Sequence, residues 1–281
     1  MKVSGFTICR NAIAFDYPIV EVIRSALPIV DEFVVNVGQS ADGTLDLIRS
    51  IDSSKVRIVE SFWDDTMQKD GLLFSRETNV ALSRCTGDWA LYLQADEVLH
   101  EQDHASIRKA LHAHLGDPEV LGFTFRYLHF YGDYRSCNPW FYHRAVRIIR
   151  NDGQVESCGD AVGFCLKADH SYLQTAHKDR LRPSRATIYH YGWVKPPRVL
   201  LEKFRYQVAR HHGDAPGADQ ARMLAQETYE FGDYDIMKNF YGSHPAVMAD
   251  RVRRYPRLNP RRCRWLKPGF YRAVMKRGFR G

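Results

Sequence analysis

Gly87-Asp88-Trp89-Ala90-Leu91-Tyr92-Leu93-Gln94-Ala95-Asp96-Glu97 is the stretch that best indicates the fold. A turn-forming Gly-Asp pair precedes a short apolar run, and two adjacent carboxylates end it. Such a run between turn signals is typical of an interior strand of an α/β sheet. Ligands of open α/β sheets bind at the carboxyl ends of strands, so Asp96 and Glu97 would lie at a crevice. Their oxygens suit Mg²⁺ or Mn²⁺; alternatively, both acids only cap the next helix.

The composition is that of an ordinary soluble globular protein, with 44% hydrophobic and 26% charged residues in 281. This length allows one large α/β domain with additions or two small domains. No apolar run approaches the roughly 20 residues of a membrane span, and the strand-like N-terminus differs from a secretory signal. Six cysteines without a C-x-x-C pair predict reduced thiols in a cytoplasmic protein, with neither disulfides nor structural zinc.

Strand and helix patterns alternate along the first half of the chain, which predicts an α/β fold with a mostly parallel central sheet flanked by helices. The predicted strands are 3–9, 32–37, 55–59, 89–93, 120–131, 140–149 and 186–191. The predicted helices are 17–27, 44–51, 70–85, 102–115, 199–212, 219–230 and 246–255. Lys195-Pro196-Pro197 stops the last strand. We therefore expect a catalytic domain over 1–195, a helical extension over 196–250 and a basic aromatic tail over 251–281.

The tail carries an unusual charge, because residues 251–281 contain twelve Lys or Arg and no acid. The whole chain has a net charge of +7, so residues 1–250 carry −5. Five aromatic residues are interleaved with these cations. A basic and aromatic segment is typical of attachment to an anionic surface, either the inner face of a membrane or nucleic acid. The alternative is that the tail packs against the acidic body of the same protein.

Several short motifs occur in a distinctive order. They are Cys9-Arg10-Asn11 after the first strand, Ser40-x-Asp42-Gly43-Thr44, Asn79-x-Ala81-Leu82, Gly87-Asp88-Trp89 and Ala95-Asp96-Glu97. Together they resemble the family 2 glycosyltransferases of the GT-A fold, over about residues 3–195. The resemblance implies a nucleotide-diphospho-sugar donor, Mn²⁺ or Mg²⁺, and sugar transfer with inversion. It also implies a glycan or lipid-linked acceptor, as in cell-envelope glycan synthesis.

The resemblance assigns donor-binding roles by position. Cys9-Arg10-Asn11 would border the donor, and Asp42 would contact the nucleotide base or ribose. Val37-Gly38 stands where many members have acids, which leaves the identity of the base open. Arg76 could reach a donor phosphate or sugar hydroxyl, or it could be a surface charge.

The same resemblance assigns the metal site. Asp96 would be the last carboxylate of the D-x-D-type motif, which holds the metal against the donor diphosphate. Gln94 replaces the first acid of that motif, so it can hydrogen-bond the donor but supplies no charge. His190, in the last predicted strand, stands where members often return an imidazole to the metal, and neutral imidazole can bind Mn²⁺. The alternative is a packed histidine.

Inverting transfer also requires a carboxylate that takes the proton of the acceptor hydroxyl. The acidic segment 151–160 is where the family usually places this base. Asp160, which follows Gly159, is the first candidate, and Glu156 is the second. Either acid could instead be a solvated loop residue.

Two other functions compete with this interpretation. His100-Glu101-Gln102-Asp103-His104 matches H-E-x-x-H, which on a helix would present two imidazoles to zinc in a hydrolase. The basic tail, taken alone, would suit an adaptor that binds nucleic acid. These alternatives predict zinc-dependent peptide cleavage and salt-sensitive binding to RNA, respectively.

Overall fold

The computed structural model describes residues 1–212, 216–231, 237–255, 271–272 and 274–275. In chain order its elements are β1 (Val3–Cys9), α1 (Ile19–Ala26), β2 (Glu32–Gly38), α2 (Thr44–Arg49), β3 (Val56–Ser61), α3 (Leu72–Leu82), β4 (Trp89–Tyr92), β5 (Glu97–Leu99), α4 (His104–Ala113), β6 (Gly122–Tyr131), β7 (Ser136–Cys137), β8 (Arg144–Arg150), β9 (Val155–Cys158), β10 (Gly163–Leu166), α5 (Leu173–Ala176), β11 (Leu181–Trp193), α6 (Pro197–His212), α7 (Ala218–Leu224), β12 (Lys238–Asn239) and α8 (Ala249–Arg254).

The central sheet begins with four parallel strands, in the order β3-β2-β1-β4. β8 then lies antiparallel to β4, β6 lies antiparallel to β8, and β11 runs parallel to β6. The chain therefore winds outward from β1 to β3 and returns to the other side of β1 with β4. Ligands of open α/β sheets bind where the strand order reverses in this way. The predicted α/β class, with a mostly parallel central sheet flanked by helices, is confirmed.

Helices cover both faces of this sheet, because successive side chains of a strand point to opposite sides. Phe33 of β2 belongs to the same buried cluster as Ile23 of α1. Phe6 of β1 belongs to the second cluster, together with Leu73 of α3. Fully burying an apolar side chain of this size contributes about 1.5–3 kcal/mol. The two clusters thus fix the strands from both sides and set the positions of the residues that follow β1 and β4.

The second half of the chain departs from the predicted pattern. The strand predicted at 140–149 begins only at Arg144, because the Asn138 side chain accepts a hydrogen bond from the Trp140 backbone at 2.9 Å and holds a turn there. The last strand, β11, is longer than predicted and shifts register beside β6. The hairpin of β9 and β10 and the three-residue β5 were not predicted, since they are too short to show a period.

The C-terminal part also differs. Helix α7 is shorter than the predicted helix 219–230, and the predicted helix 246–255 is a 3₁₀ turn followed by α8. Arg251, the first cation of the tail, lies 2.6 Å from Asp16 and 3.0 Å from Glu21. For this residue, the contact agrees with the alternative that the tail packs against the acidic body of the same protein. Most of the tail, 256–270 with 273 and 276–281, lies outside the described residues, and its binding role stays a prediction.

Two other observations bear on the sequence predictions. Cys9, Cys85, Cys137, Cys158 and Cys165 are free thiols, while Cys263 lies outside the described residues. Within the described ranges, the helices fall short of the length and apolar character that a membrane crossing requires.

Candidate active site

A cavity of about 260 Å³ lies beside the residues that follow β1 and β4, where the strand order reverses. The sequence-predicted site residues divide into two groups around it. Those that line the cavity are Cys9, Arg10, Gln94, Asp96, Asp160 and His190. Those that do not line it are Asn11, Asp42, Arg76 and Glu156. The cavity thus brings together the end of β1, the acidic stretch after β4, the loop after β9 and the end of β11.

The two adjacent acids after β4 have different environments, contrary to the expectation that both face the crevice. The Glu97 side chain is completely buried, and Arg147 of β8 donates to its two oxygens at 2.7 and 2.8 Å. The Tyr127 hydroxyl also donates to Glu97, at 2.7 Å. Arg147 in turn donates to the Val162 carbonyl at 2.9 Å. Glu97 is therefore an internal anchor, which ties the strand end to the loop that contains Asp160.

Breaking this anchor should destabilise the fold. Arg147→Met leaves the Glu97 carboxylate buried without its cation, and removing one partner of a buried pair costs about 3–5 kcal/mol. Urea unfolding should show this loss, whereas Arg49→Met, which affects an exposed arginine, should change stability by less than about 0.5 kcal/mol. Full stability in Arg147→Met would show that the pair does not hold the loop.

Of the two adjacent acids, Asp96 is the one that lines the cavity, and it is 5% exposed. The Lys203 ammonium donates to Asp96 Oδ2 at 2.9 Å, while His190 Nε2 lies 3.6 Å from Asp96 Oδ1. Burial opposes ionisation of this side chain, yet the adjacent Lys203 holds the pKa of Asp96 below its usual range. Asp96 is therefore a carboxylate with one oxygen bound to lysine and the other directed at an imidazole.

The protonation of His190 follows from its neighbour on β6. His129 and His190 are cross-strand partners, and their Nδ1 atoms lie 3.0 Å apart. His129 Nε2 is 2.7 Å from the Tyr142 carbonyl, which can only accept, so Nε2 carries the proton. Burial lowers the pKa of His129 to about 3 and also lowers that of His190, so both rings are neutral. His190 must then donate from Nδ1, which leaves an unprotonated Nε2 facing Asp96.

This arrangement fits a divalent cation. A lone pair and a carboxylate oxygen 3.6 Å apart are too distant for a hydrogen bond and would repel each other without a cation between them. Ligating histidines donate their second ring N–H to a fixed acceptor, as His190 does to His129. Mg²⁺ and Mn²⁺ need few protein ligands when phosphate oxygens complete the coordination. Asp96 and His190 are therefore the residues that could hold the metal.

Gly192 keeps the space beside these two side chains open. A Cβ on Gly192 would lie 2.8 Å from both Asp96 Oδ2 and His190 Nε2. We therefore expect Gly192→Ala to weaken Mn²⁺ binding at least tenfold, measured by calorimetry on the folded protein. Gly116→Ala is the matched control, because a Cβ there meets nothing within 4 Å. Equal Mn²⁺ affinity in both variants would place the metal ligands elsewhere.

Asp160 lines the same cavity from a constrained turn. Gly159 and Ala161, on either side of it, have φ angles of +59° and +62°. The left-handed conformation is strained for alanine, and such strain clusters at functional sites. Asp160 Oδ1 accepts a long hydrogen bond from Val162 N at 3.2 Å, and the Gln94 amide donates to the Ala161 carbonyl at 3.3 Å. Gln94 thus joins the strand end to the turn that presents Asp160.

The predicted donor-binding residues near β1 are held by internal contacts. Asp42 accepts from Ala14 N at 2.8 Å and from both the backbone and hydroxyl of Thr44, which joins two loops. Arg10 forms a bidentate pair with Asp65 and also lines the cavity. A donor-contacting role for Asp42 stays a prediction, and so do the roles of Asn11 and Arg76. The Arg76 side chain is about half exposed.

Helix α6 contributes cavity residues that the sequence analysis missed. Lys203, Tyr206, Gln207 and His211 all line the cavity, although the predicted catalytic domain ended at residue 195. Lys195, just before α6, is completely buried, and burial lowers its pKa to about 7. Its ammonium donates to the Asp16 carbonyl. The signal that could have revealed them is the spacing of Lys203, Tyr206 and Gln207, which places them on one side of a helix.

The competing zinc motif does not form a helical pair. His100 precedes the helix, and its Nδ1 accepts from Gln102 N at 3.3 Å, while His104 is the first residue of α4. The two imidazoles therefore do not lie on one helix face, as an H-E-x-x-H site requires.

Glu156, the second candidate base, lies on β9, in the hairpin of β9 and β10. Its carboxylate is 3.2 Å from the His170 imidazole.

No protein-family model matches the chain, and the comparison with curated proteins also finds no match. Among solved structures, Staphylococcus aureus TarS 1–349 is similar at 16% identity, with a TM-score of 0.43 over 81% of this chain and 70% of that chain. The chain covers 43% of the longer TarS chain. Glucosyl-3-phosphoglycerate synthase from Mycobacterium tuberculosis, in complex with Mn²⁺, UDP and glucosyl-3-phosphoglycerate, gives 16% identity and a TM-score of 0.42, over 77% of this chain and 81% of that chain.

Proposed function

We propose that this protein is a metal-dependent glycosyltransferase, which moves a sugar from a nucleotide-diphospho-sugar to an acceptor hydroxyl. The observation that carries the proposal is the cavity where the strand order reverses. It brings together Asp96 and His190, whose facing atoms could hold a cation, and a separate carboxylate, Asp160. A cation site and a general base in one cavity are the two components that such a transfer needs.

In this proposal the protein residues prepare both ends of the reaction. Asp96 and His190 hold Mn²⁺ or Mg²⁺, and His129 fixes the tautomer of His190. When bound, the cation stabilises the negative charge of the departing nucleoside diphosphate. The Gln94 amide donates to the Ala161 carbonyl and so positions the turn that contains Asp160. Because Gln94 carries no charge, it can also donate a hydrogen bond to the nucleotide-sugar without competing for the metal.

Asp160 is the proposed base. It accepts the proton of the acceptor hydroxyl while the acceptor oxygen forms a bond to the anomeric carbon. The bond from that carbon to the diphosphate oxygen breaks at the same time, and the nucleoside diphosphate leaves with the electron pair. Attack from the face opposite the leaving group inverts the anomeric configuration. A single carboxylate is sufficient for this step.

The aromatic wall of the cavity suits the rest of the donor. Trp63, Phe74 and Tyr206 line it, and aromatic rings can stack on a nucleobase or a sugar face. The Trp63 indole is 3% exposed, and its N–H has no hydrogen-bond partner among the residues that the structure describes.

A panel of nucleotide sugars tests the proposal. Slow donor hydrolysis, followed by mass spectrometry, should appear with Mn²⁺ or Mg²⁺ for one class of donor and disappear with a chelator. If no donor is bound or hydrolysed under any metal condition, the proposal is wrong. Zinc-dependent peptide cleavage that His104→Ala removes would instead establish the hydrolase.

We also infer from the basic tail that the protein works at the inner face of a membrane, close to a glycan or lipid-linked acceptor. Each cation that reaches an anionic surface contributes about 1 kcal/mol. The full chain should sediment with anionic vesicles at low salt and be released near about 0.5 M salt, because salt screens the attraction. Deleting 256–281 keeps Arg251, which contacts the body, and should abolish sedimentation. Preferential binding to RNA would favour the adaptor instead.

A further inference from the structure

We propose that Lys203 is an internal counter-cation of the metal site, which makes the divalent cation and the donor diphosphate bind cooperatively. Without the donor, Lys203 neutralises Asp96 and so opposes binding of the metal. Once the donor is present, its diphosphate supplies the negative charge that balances both cations. This inference rests on the proposed function, since it assigns a role to a residue of the same cavity.

The contacts of Lys203 place its charge directly on the metal-binding carboxylate. Its ammonium donates to Asp96 Oδ2 at 2.9 Å and to the Gly192 carbonyl at 3.1 Å. The side chain is 8% exposed, so solvent screens its charge poorly. Its helix, α6, is anchored through Leu200 and Leu201, which are buried. Lys203 is thus a fixed positive charge, unlike a mobile surface lysine.

The charge balance around Asp96 is unfavourable for a lone divalent cation. Asp96 supplies one negative charge, and Lys203 already neutralises it. His190 directs an unprotonated Nε2 at Asp96, because its Nδ1 donates to His129, and a second ammonium, that of Lys195, lies over the same Tyr17 ring as that of Lys203, at 4.4 and 5.1 Å. A divalent cation at Asp96 Oδ1 would therefore enter a site without net negative charge, beside an ammonium on the other oxygen. Like charges that are poorly screened repel strongly, so metal binding in the absence of the donor should be weak.

The donor diphosphate reverses this balance. Its oxygens carry at least two negative charges, and they complete the coordination of Mg²⁺ or Mn²⁺ in sites with few protein ligands. Lys203 lines the cavity, and an ammonium is a good partner for phosphate. Metal and diphosphate should thus strengthen each other's binding by the same factor, as linkage requires.

Calorimetry on the full chain tests this, with Mn²⁺ titrated in the absence and presence of UDP or GDP. We expect the nucleotide that binds to tighten Mn²⁺ by tenfold or more in the native protein. Lys203→Met should bind Mn²⁺ alone at least threefold more tightly, and its coupling factor should fall at least threefold below the native one, while direct coordination of the metal by the diphosphate keeps it above one. Lys203→Gln, which can still donate to Asp96, should behave like Lys203→Met, whereas Lys203→Arg keeps the charge and should keep the coupling. Lys109→Met, an exposed lysine on α4, is the control for the charge change.

The outcomes separate this inference from the proposed function. If folded Lys203→Met and Lys203→Gln bind Mn²⁺ alone no more tightly than the native protein, Lys203 does not oppose the metal and the inference fails. If no nucleoside diphosphate binds any variant, the proposed function fails, while the titrations with Mn²⁺ alone still decide the effect of Lys203. Thermal melts of each variant establish that the protein compared is folded.

Discussion

Asp96→Asn should abolish metal-dependent donor binding and lower transfer by about 10³-fold or more. Asparagine has nearly the same shape and can still accept from Lys203, so the fold should survive. It removes the negative oxygen directed at His190 Nε2, and with it most of the cation affinity. A cation that stabilises a leaving group contributes several kcal/mol, and each 1.36 kcal/mol is about tenfold in rate.

The measurement is calorimetry of a nucleoside diphosphate with Mn²⁺ and with a chelator, together with kcat/KM for the donor that the panel identifies. Asp46→Asn, an exposed acid on α2, is the matched control and should behave like the native protein. Unchanged nucleotide affinity in Asp96→Asn, or native affinity in the presence of chelator, would show that Asp96 does not hold the metal.

Asp160→Asn should leave donor binding within about twofold of the native value but lower kcat by roughly 10²–10⁴-fold, which is the usual contribution of a general base. Its carboxylate lines the cavity and, among the described residues, forms one long hydrogen bond, from Val162 N, so the exchange should disturb little else. Single-turnover transfer to a soluble acceptor mimic measures the loss.

Glu156→Gln is the matched comparison, because this acid lies on the same hairpin but does not line the cavity. It should keep nearly full activity. The reverse pattern, with loss in Glu156→Gln and activity in Asp160→Asn, would move the base to Glu156. Loss of donor binding in Asp160→Asn would mean that this residue holds the donor.

Local patterns in the sequence were sufficient to predict the order of the first strands and helices. The apolar run before Asp96 is a strand because its neighbours are turn residues, and the structure has β4 there. Alternation of strands with helices is also a local property, since each period spans only a few residues. The same patterns placed Asp96 just after a strand, His190 within a strand and Asp160 in a loop. They could not show that all three line one cavity.

The tertiary structure alone decided what each acid does. Glu97 meets Arg147 from fifty positions away in the sequence, and Lys203 reaches Asp96 from a helix 107 positions further along. His190 presents an unprotonated nitrogen only because His129 lies beside it in register on β6. Charge, tautomer and burial depend on which distant groups are packed together. A periodic pattern in the chain records which face a residue occupies but not its neighbour across the sheet, so these properties follow only from the folded arrangement.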